Sequence, residues 1–339
     1  MPHATIPDIA RLAGVSPATV DRVLNNRAGV SAANRQRVLT AAHQLGYLPT
    51  DGHVVLPARP VRLEFFVPCG QQAFLREVAD KIEAFAGSLP LVAAATLHDL
   101  KDMSPRTLVE ALGHVSLGTQ GVGIVALDDA LTRQAVRDLV EAGIKVVIIG
   151  SDLKSTPRSA YVGVDNLVTG RTAAHILGRM TPRPGRVAVF AGYAGFQGQR
   201  ERESGFRAVM ASDFPQFEIL PAIDLRSDNQ RAEHEARTLL ARDPDLVGLY
   251  VMGGGRSGII AALSERAAPR PFAIMHDLTD ATRSALAAGL IDLVIDQDTT
   301  LVAEQTVIRL LGSIASAHSF LPVHYIEPRL IFRENIPAR

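Results

Sequence analysis

Beyond residue 60, several short apolar runs end on side chains suited to holding a polyhydroxylated molecule. Phe74, Asp152, Asp165, Asn166, Arg202, Asp277 and Gln297 all lie at or just after such runs. Carboxylates, amides and a guanidinium facing one another across a cleft pair with vicinal hydroxyls, because a hydroxyl can donate to one group while accepting from the next. An aromatic ring covers the CH face of a sugar ring; with no Trp in the chain, a Phe such as Phe74 or a Tyr must fill that role. The competing reading of an Asp or Asn between a strand and a helix is a plain N-cap, and Asp128-Asp129 before a helix over 131–142 fits that reading best. No catalytic set emerges. The ten His are scattered without metal-ligand spacing, Cys69 lacks the context of a nucleophile, and Ser204-Gly205 and Ser257-Gly258 are not nucleophile elbows. The expectation is therefore a binding protein with no metal, no cofactor and no enzymatic activity. One motif points elsewhere. Gly253-x-Gly255-x-x-Gly258, followed by Asp277 at the end of the next apolar run, has the outline of a dinucleotide-binding loop with its ribose carboxylate, so an NAD(P)- or nucleotide-binding protein is the alternative.

The elements that must position these residues alternate. Apolar runs at 62–68, 91–96, 121–127, 145–150, 160–164, 186–192, 218–224, 246–252, 271–276 and 291–296 read as strands. Amphipathic stretches at 131–142, 167–180, 229–242 and 279–288 read as helices. Near-continuous apolar strands between helices imply parallel sheets covered on both faces, and this many strands fit two doubly wound lobes better than one sheet. In such sheets ligands sit outside the carboxyl ends of the strands, which is where the candidate residues fall.

The first 60 residues are of another kind. Thr5 and Asp8 flank Pro7 as a capping box, Ile6, Ile9, Ala10 and Ala13 recur at helical spacing, and Gly14 ends the helix. Ser16-Pro17 opens a second helix with Val20, Val23 and Leu24 on its apolar side; Ser31 opens a third in which Val38, Leu39, Ala42 and Leu45 face inward and Gly46 closes it. Helix, Gly-containing turn and helix is the arrangement that lays its second helix in the DNA major groove. The charge agrees: the chain is neutral in sum, but residues 1–60 hold six Arg against Asp8, Asp21 and Asp51, leaving the remainder acidic. So small an excess binds DNA weakly as one copy, which makes a dimer the expected form. A single cysteine and a start, MPHATIPDIA, without basic leader or apolar core are read as a cytoplasmic protein, and no run long enough to span a membrane is present.

Residues 4–50, through IARLAGVSPATVDRVLN, Val30-Ser31 and RVLTAAHQLGYLP, resemble the DNA-binding headpiece of the lactose-repressor (LacI/GalR) family. The resemblance implies a homodimeric transcriptional regulator, most often a repressor, reading a palindromic operator and controlled by a small sugar-like or polyol effector; a nucleoside or purine effector is the second possibility. It implies base contacts from Pro17 and Ala18 at the start of the recognition helix. Arg22 is the only long donor nearby for a guanine, phosphate contacts are expected from Ser16, Thr19, Asn25 and Ser31, and Thr5 is a further residue expected at the DNA. Asp21 stands where the family usually has Ser; there it either accepts from a cytosine amino group or pairs with Arg22, Arg11 or solvent. The family's effector domain has the periplasmic-binding-protein fold, with three passages between lobes expected near 164–168, 292–298 and 322–327. That gives a headpiece of 1–49, a linker of 50–60, an N-lobe of about 61–164 and 297–323, and a C-lobe of about 165–296 and 324–339. GQRERESGF is similar to the segment that puts Arg202 against the effector, MHDLTD to that which places Asp277, and VIDQD to that which places Gln297. For Asp152, Asp165 and Asn166 the correspondence is looser, and Gly254 or Gly255 replaces an Asn common in the family.

The linker departs most from that pattern. The family's hinge helix forms on DNA and wedges a Leu into the minor groove, and Leu56 lies at the matching distance from Tyr47. Gly52, Val54-Val55 and Pro57 all disfavour a helix, so a flexible tether with Leu56 exposed or folded onto the lobe is expected.

Overall fold

The computed structural model describes residues 5–24, 30, 34, 37–38, 40–41, 56–243, 245–265, 269–315 and 325–338. The chain divides into two units, 1–54 and 55–339. In the first, α1 (Ile6–Ala13) begins on the expected capping box: the Thr5 amide and hydroxyl both donate to Asp8 Oδ2, at 3.0 and 2.5 Å, which holds the Asp8 carboxyl below its ordinary range. Gly14 ends α1 at φ +64°, the left-handed conformation that a C-terminal Gly adopts without strain. The Ser16 hydroxyl accepts the Thr19 amide at 3.2 Å and starts α2 (Pro17–Leu24). Helical turns follow at positions 34, 37–38 and 40–41, and Val38 and Ala41 close a small core with Ile9, Ala10, Ala13, Val20 and Val23.

The second unit is α/β, built from two mostly parallel sheets. The N-lobe sheet is all parallel in the order β2-β1-β3-β4-β5, formed by β1 (Val61–Val67), β2 (Val92–Asp99), β3 (Gly121–Ile124), β4 (Lys145–Ile149) and β5 (Ala160–Val162). Helices α3 (Ala73–Ser88), α4 (Pro105–Leu112) and α5 (Ala130–Glu141) connect its strands, and one apolar cluster covers each face. After β5 the chain enters the C-lobe with α6 (Asn166–Met180), β6 (Gly185–Ala191) and α7 (Gln197–Asp213). It continues through β7 (Phe217–Ile219), β8 (Ile223–Asp224), α8 (Asn229–Arg242) and β9 (Leu246–Val251), then α9 (Arg256–Ser264), β10 (Phe272–His276), α10 (Asp280–Ala287) and β11 (Leu293–Asp296). From β11 the chain returns to the N-lobe as α11 (Thr299–Ala315), which packs on α3, and comes back as β12 (Arg329–Ile331), antiparallel to β11. The C-lobe order is β12-β11-β10-β9-β6-β7, with β8 also on β6.

Two expectations are corrected here. The single strand read at 218–224 is two short ones, because Pro221 between them has no amide for a ladder. The three-residue β12 was not anticipated; it is too short to show a period. Among the described residues no helix is long and apolar enough to cross a membrane.

Candidate functional site

Between the carboxyl ends of the two sheets lies an inner cavity of about 50 Å³. The N-lobe contributes Gln72, Phe74 and Leu75 after β1, Val125 after β3, and Ile149 to Ser151 at the end of β4; the C-lobe contributes Asn166, the 196–202 turn, Met252, Gly253 and Asp277, with Gln297 on the passage back. Five of the seven sequence candidates therefore share one cavity: Phe74, Asn166, Arg202, Asp277 and Gln297.

Each is held by its local structure. Arg202 lies in the second turn of α7, 5% exposed, where Nε donates to Asn166 Oδ1 at 2.7 Å and Nη1 to the Met252 carbonyl at 2.6 Å. That position depends on backbone contact between α6 and α7: a Cβ on Gly170 would stand 2.0 Å from the Arg202 carbonyl oxygen. Asn166 is the first residue of α6, and its amide nitrogen reaches the Tyr161 hydroxyl at 3.2 Å. Asp277 directly follows β10 at φ +67°, a left-handed conformation that Asp tolerates better than most side chains. Its Oδ2 accepts from Arg256 Nη1 at 2.8 Å and its Oδ1 from Gln297 Nε2 at 2.9 Å. The remaining Gln297 oxygen is buried without a partner among the described residues. Gln199 accepts the Gly192 and Tyr193 amides on Oε1, at 2.7 and 3.1 Å, so its NH2 group is the end left over.

Asp152 and Asp165 do not line this cavity. Asp152 forms a close ion pair with Arg158 at 2.6 Å and accepts the Leu153 amide; burial pushes its carboxyl above the ordinary range and Arg158 opposes that shift. Asp165 caps α6, accepting the Val168 amide at 3.0 Å, and Asp129 caps α5 through Leu131 at 2.8 Å. An N-cap side chain folds back on its own helix, which is why Asp165 is engaged locally while its neighbour Asn166 reaches the cavity. Cys69 is buried in the N-lobe core and does not line the cavity.

The glycine motif also resolves. Gly255 starts α9 at φ +90°, and a Cβ on Gly258 would meet the Asn229 carbonyl oxygen of α8 at 2.0 Å. These glycines serve a turn and a helix–helix contact. The carboxylate a dinucleotide ribose would need, Asp277, is already bonded to Arg256 and Gln297. Sequence reasoning missed the Arg256–Asp277 pair, because it joins the loop after one strand to the loop after the next and leaves no periodic signal.

The lobes meet through direct bonds around the cavity. Gln72 donates to the Ser227 hydroxyl at 3.0 Å, the Gly198 amide donates to Ser151 at 3.0 Å, Arg200 pairs with Asp128 at 3.0 Å, and Lys154 pairs with Glu201 at 2.7 Å. Phe196 inserts into the N-lobe core. Beyond Gln72 a wider groove of about 1090 Å³ runs between α3 and the first turns of α9 and α10. Among the described residues no cluster of His, Cys, Asp and Glu is arranged to hold a metal.

In the first unit, Pro17, Ala18 and Arg22 lie on the exposed side of α2 beside Ser16, opposite buried Val20 and Val23; Thr19 and Asp21 are half-buried and Thr5 is exposed. Asn25 and Ser31 lie outside the described residues, as does the linker up to residue 55. Leu56 is 54% exposed.

Comparison with known proteins agrees with this division. Residues 5–50 match the family described as bacterial regulatory proteins, lacI family, and residues 65–313 match the periplasmic binding protein domain. The HTH-type transcriptional regulator CelR of Thermobifida fusca is 29% identical over 288 residues, covering 80% of this chain and 81% of its own. The HTH-type transcriptional regulator DegA of Bacillus subtilis is 26% identical over 242 residues, 70% of each chain. A crystal structure of a putative LacI transcriptional regulator from Bacteroides fragilis superposes with a TM-score of 0.72 at 18% identity, over 82% of this chain and 98% of that one, which concerns the fold. With its helix-turn-helix unit and its two-lobed binding domain each matched, the chain belongs to the LacI family of transcriptional regulators, a family of binding proteins and not of enzymes.

Proposed function

We propose that this regulator is a repressor that binds a palindromic operator as a homodimer and is controlled by a sugar-like or polyol effector held in the inner cavity. The observation that carries the effector half is the convergence of Phe74, Asn166, Arg202, Asp277 and Gln297 on one cavity at the carboxyl ends of both sheets. Paired amide, carboxylate and guanidinium groups beside an aromatic ring suit vicinal hydroxyls and a CH face. An effector favouring closed lobes shifts the protein between two states by its difference in affinity for them. The half concerned with DNA rests on the exposed α2 face. Pro17 and Ala18 offer almost no hydrogen bonds, so Arg22 reads a guanine and Ser16, Thr19, Asn25 and Ser31 contact phosphate, with Thr5 and Asp21 at the margin and Leu56 as the candidate minor-groove wedge.

An operator selected from a randomised palindrome library, followed by fluorescence anisotropy, tests this reading. Binding should weaken steeply with salt and vanish when residues 1–60 are removed. Arg22→Ala should cost about 1–3 kcal/mol and relax specificity at one base pair per half-site. Equal weakening on cognate and random DNA would remove Arg22 from base reading. A thermal-shift panel of sugars, polyols and nucleosides tests the effector, since a ligand that binds the folded state alone raises the melting temperature.

A further inference from the structure

The charge balance of the inner cavity narrows the class of effector. Among the described residues two that line it are charged, Arg202 and Asp277. Asp277 is neutralised by Arg256, itself buried, at 2.8 Å. Arg202 has no such partner: its two bonds go to a neutral amide and a carbonyl, and no carboxylate lies within ion-pair distance of it among the described residues. A buried guanidinium without a counter-charge is costly, and a ligand that supplies the charge recovers that cost on binding. In the wider groove beyond Gln72 most cations are paired, Lys81 with Glu77, Arg76 with Asp99, and Arg329 with Asp296 and Asp298, and Arg283 there is only half-buried and donates to the Pro337 carbonyl.

The neutral groups are oriented with equal definition. Gln199 spends its oxygen on two backbone amides, so it presents an NH2 group on the same turn as Arg202. Gln297 spends its NH2 on a carboxylate, which accepts and cannot donate, so its buried, unpartnered Oε1 requires a donor. The cavity therefore offers an acceptor-seeking cation and amide together with a donor-seeking oxygen. We infer that the effector is a polyhydroxylated monocarboxylate, a sugar acid, whose carboxylate faces Arg202 and Gln199 while a hydroxyl donates to Gln297. The inference rests on the reading of this cavity as the effector site. A phosphate ester carries more negative charge than the single surplus charge balances.

The test is calorimetry and thermal shift on the full chain with matched pairs: D-gluconate against D-sorbitol, D-galacturonate against D-galactose, with D-glucose 6-phosphate and adenosine alongside. At least one acid should bind about tenfold or more tightly than its neutral counterpart, the scale of a charge-assisted hydrogen bond. Arg202→Gln should level the two partners to within about threefold. If that variant does not fold, Arg256→Gln reaches the same end by exposing the Asp277 charge and should likewise erase the preference. A neutral member that binds as tightly as its acid overturns the charge assignment while leaving a sugar effector standing, and so does a response to the phosphate ester alone. A response only to adenosine, or to no member, overturns the reading of the cavity and the inference with it.

Discussion

The N-lobe faces the cavity chiefly with Phe74, Leu75, Val125 and Ile149, whereas the C-lobe faces it with Asn166, Gln199, Arg202 and Asp277. The bonds that orient the polar set also stay on that side: Arg202 to Asn166 and Met252, Asp277 to Arg256, Gln199 to Gly192 and Tyr193. The C-lobe therefore presents hydrogen-bonding groups fixed by its own bonds, and the N-lobe supplies the apolar side of the cavity. Preorganised polar groups decide which molecule fits, and the apolar wall adds affinity to whatever has been chosen.

The largest effect should come from the fixed side. Asp277→Ala removes the carboxylate that holds Arg256 and Gln297, leaves a buried guanidinium unpaired, and places Ala at φ +67°. Destabilisation of roughly 3–5 kcal/mol is expected in urea unfolding of the effector domain, and Asp277→Asn, which also leaves Arg256 without its counter-charge but keeps a side chain suited to that backbone, should cost somewhat less. An Asp277→Ala variant as stable as the parent would show that the polar wall is not held by this pair.

Phe74→Ala probes the other wall. Losing a buried ring from the cavity should weaken effector binding by about tenfold, from apolar area alone, without reordering the ligands by affinity. A changed order would make the N-lobe a specificity element and break the contrast between the walls.

A smaller effect concerns His276, which stands behind the polar wall with Nε2 2.8 Å from the Tyr250 hydroxyl. Burial first, then the charges of Arg202 and Arg256, hold its pKa well below the ordinary value, so it is neutral in the folded protein. The unfolded chain takes up that proton near pH 6.5 and the folded chain does not, so stability falls as pH drops below about 6.5, by up to about 1.4 kcal/mol per pH unit from this group. Melting temperatures from pH 7 to 5 should fall less steeply for His276→Gln than for the parent chain; equal slopes would show that His276 is protonated in place.

Much of this was legible in the sequence where the signal is local. Thr5 with Asp8, Ser16 with Thr19, and the apolar strands each carry their cause within a few residues. Adjacent Asp165 and Asn166 could not be separated by composition, because only the turn that starts α6 decides which folds back as a cap and which reaches Arg202. Asp152 looked equally available, yet it is taken by Arg158 from its own loop. Arg256 stood in view at a strand end, but its partner lies one strand away, and such a pairing exists only once the sheet has formed.

In the function proposed above, one chain joins DNA reading to ligand sensing through the inner cavity. Operator affinity of the full chain, measured with and without a ligand from the sugar and sugar-acid panel at a concentration that just saturates the parent, tests this when parent and Arg202→Gln are compared. The parent should change its operator affinity about tenfold or more when ligand is added, and Arg202→Gln should bind the same operator with little response. A full ligand response retained in Arg202→Gln, or a parent whose operator binding ignores every ligand that raises its melting temperature, would contradict it.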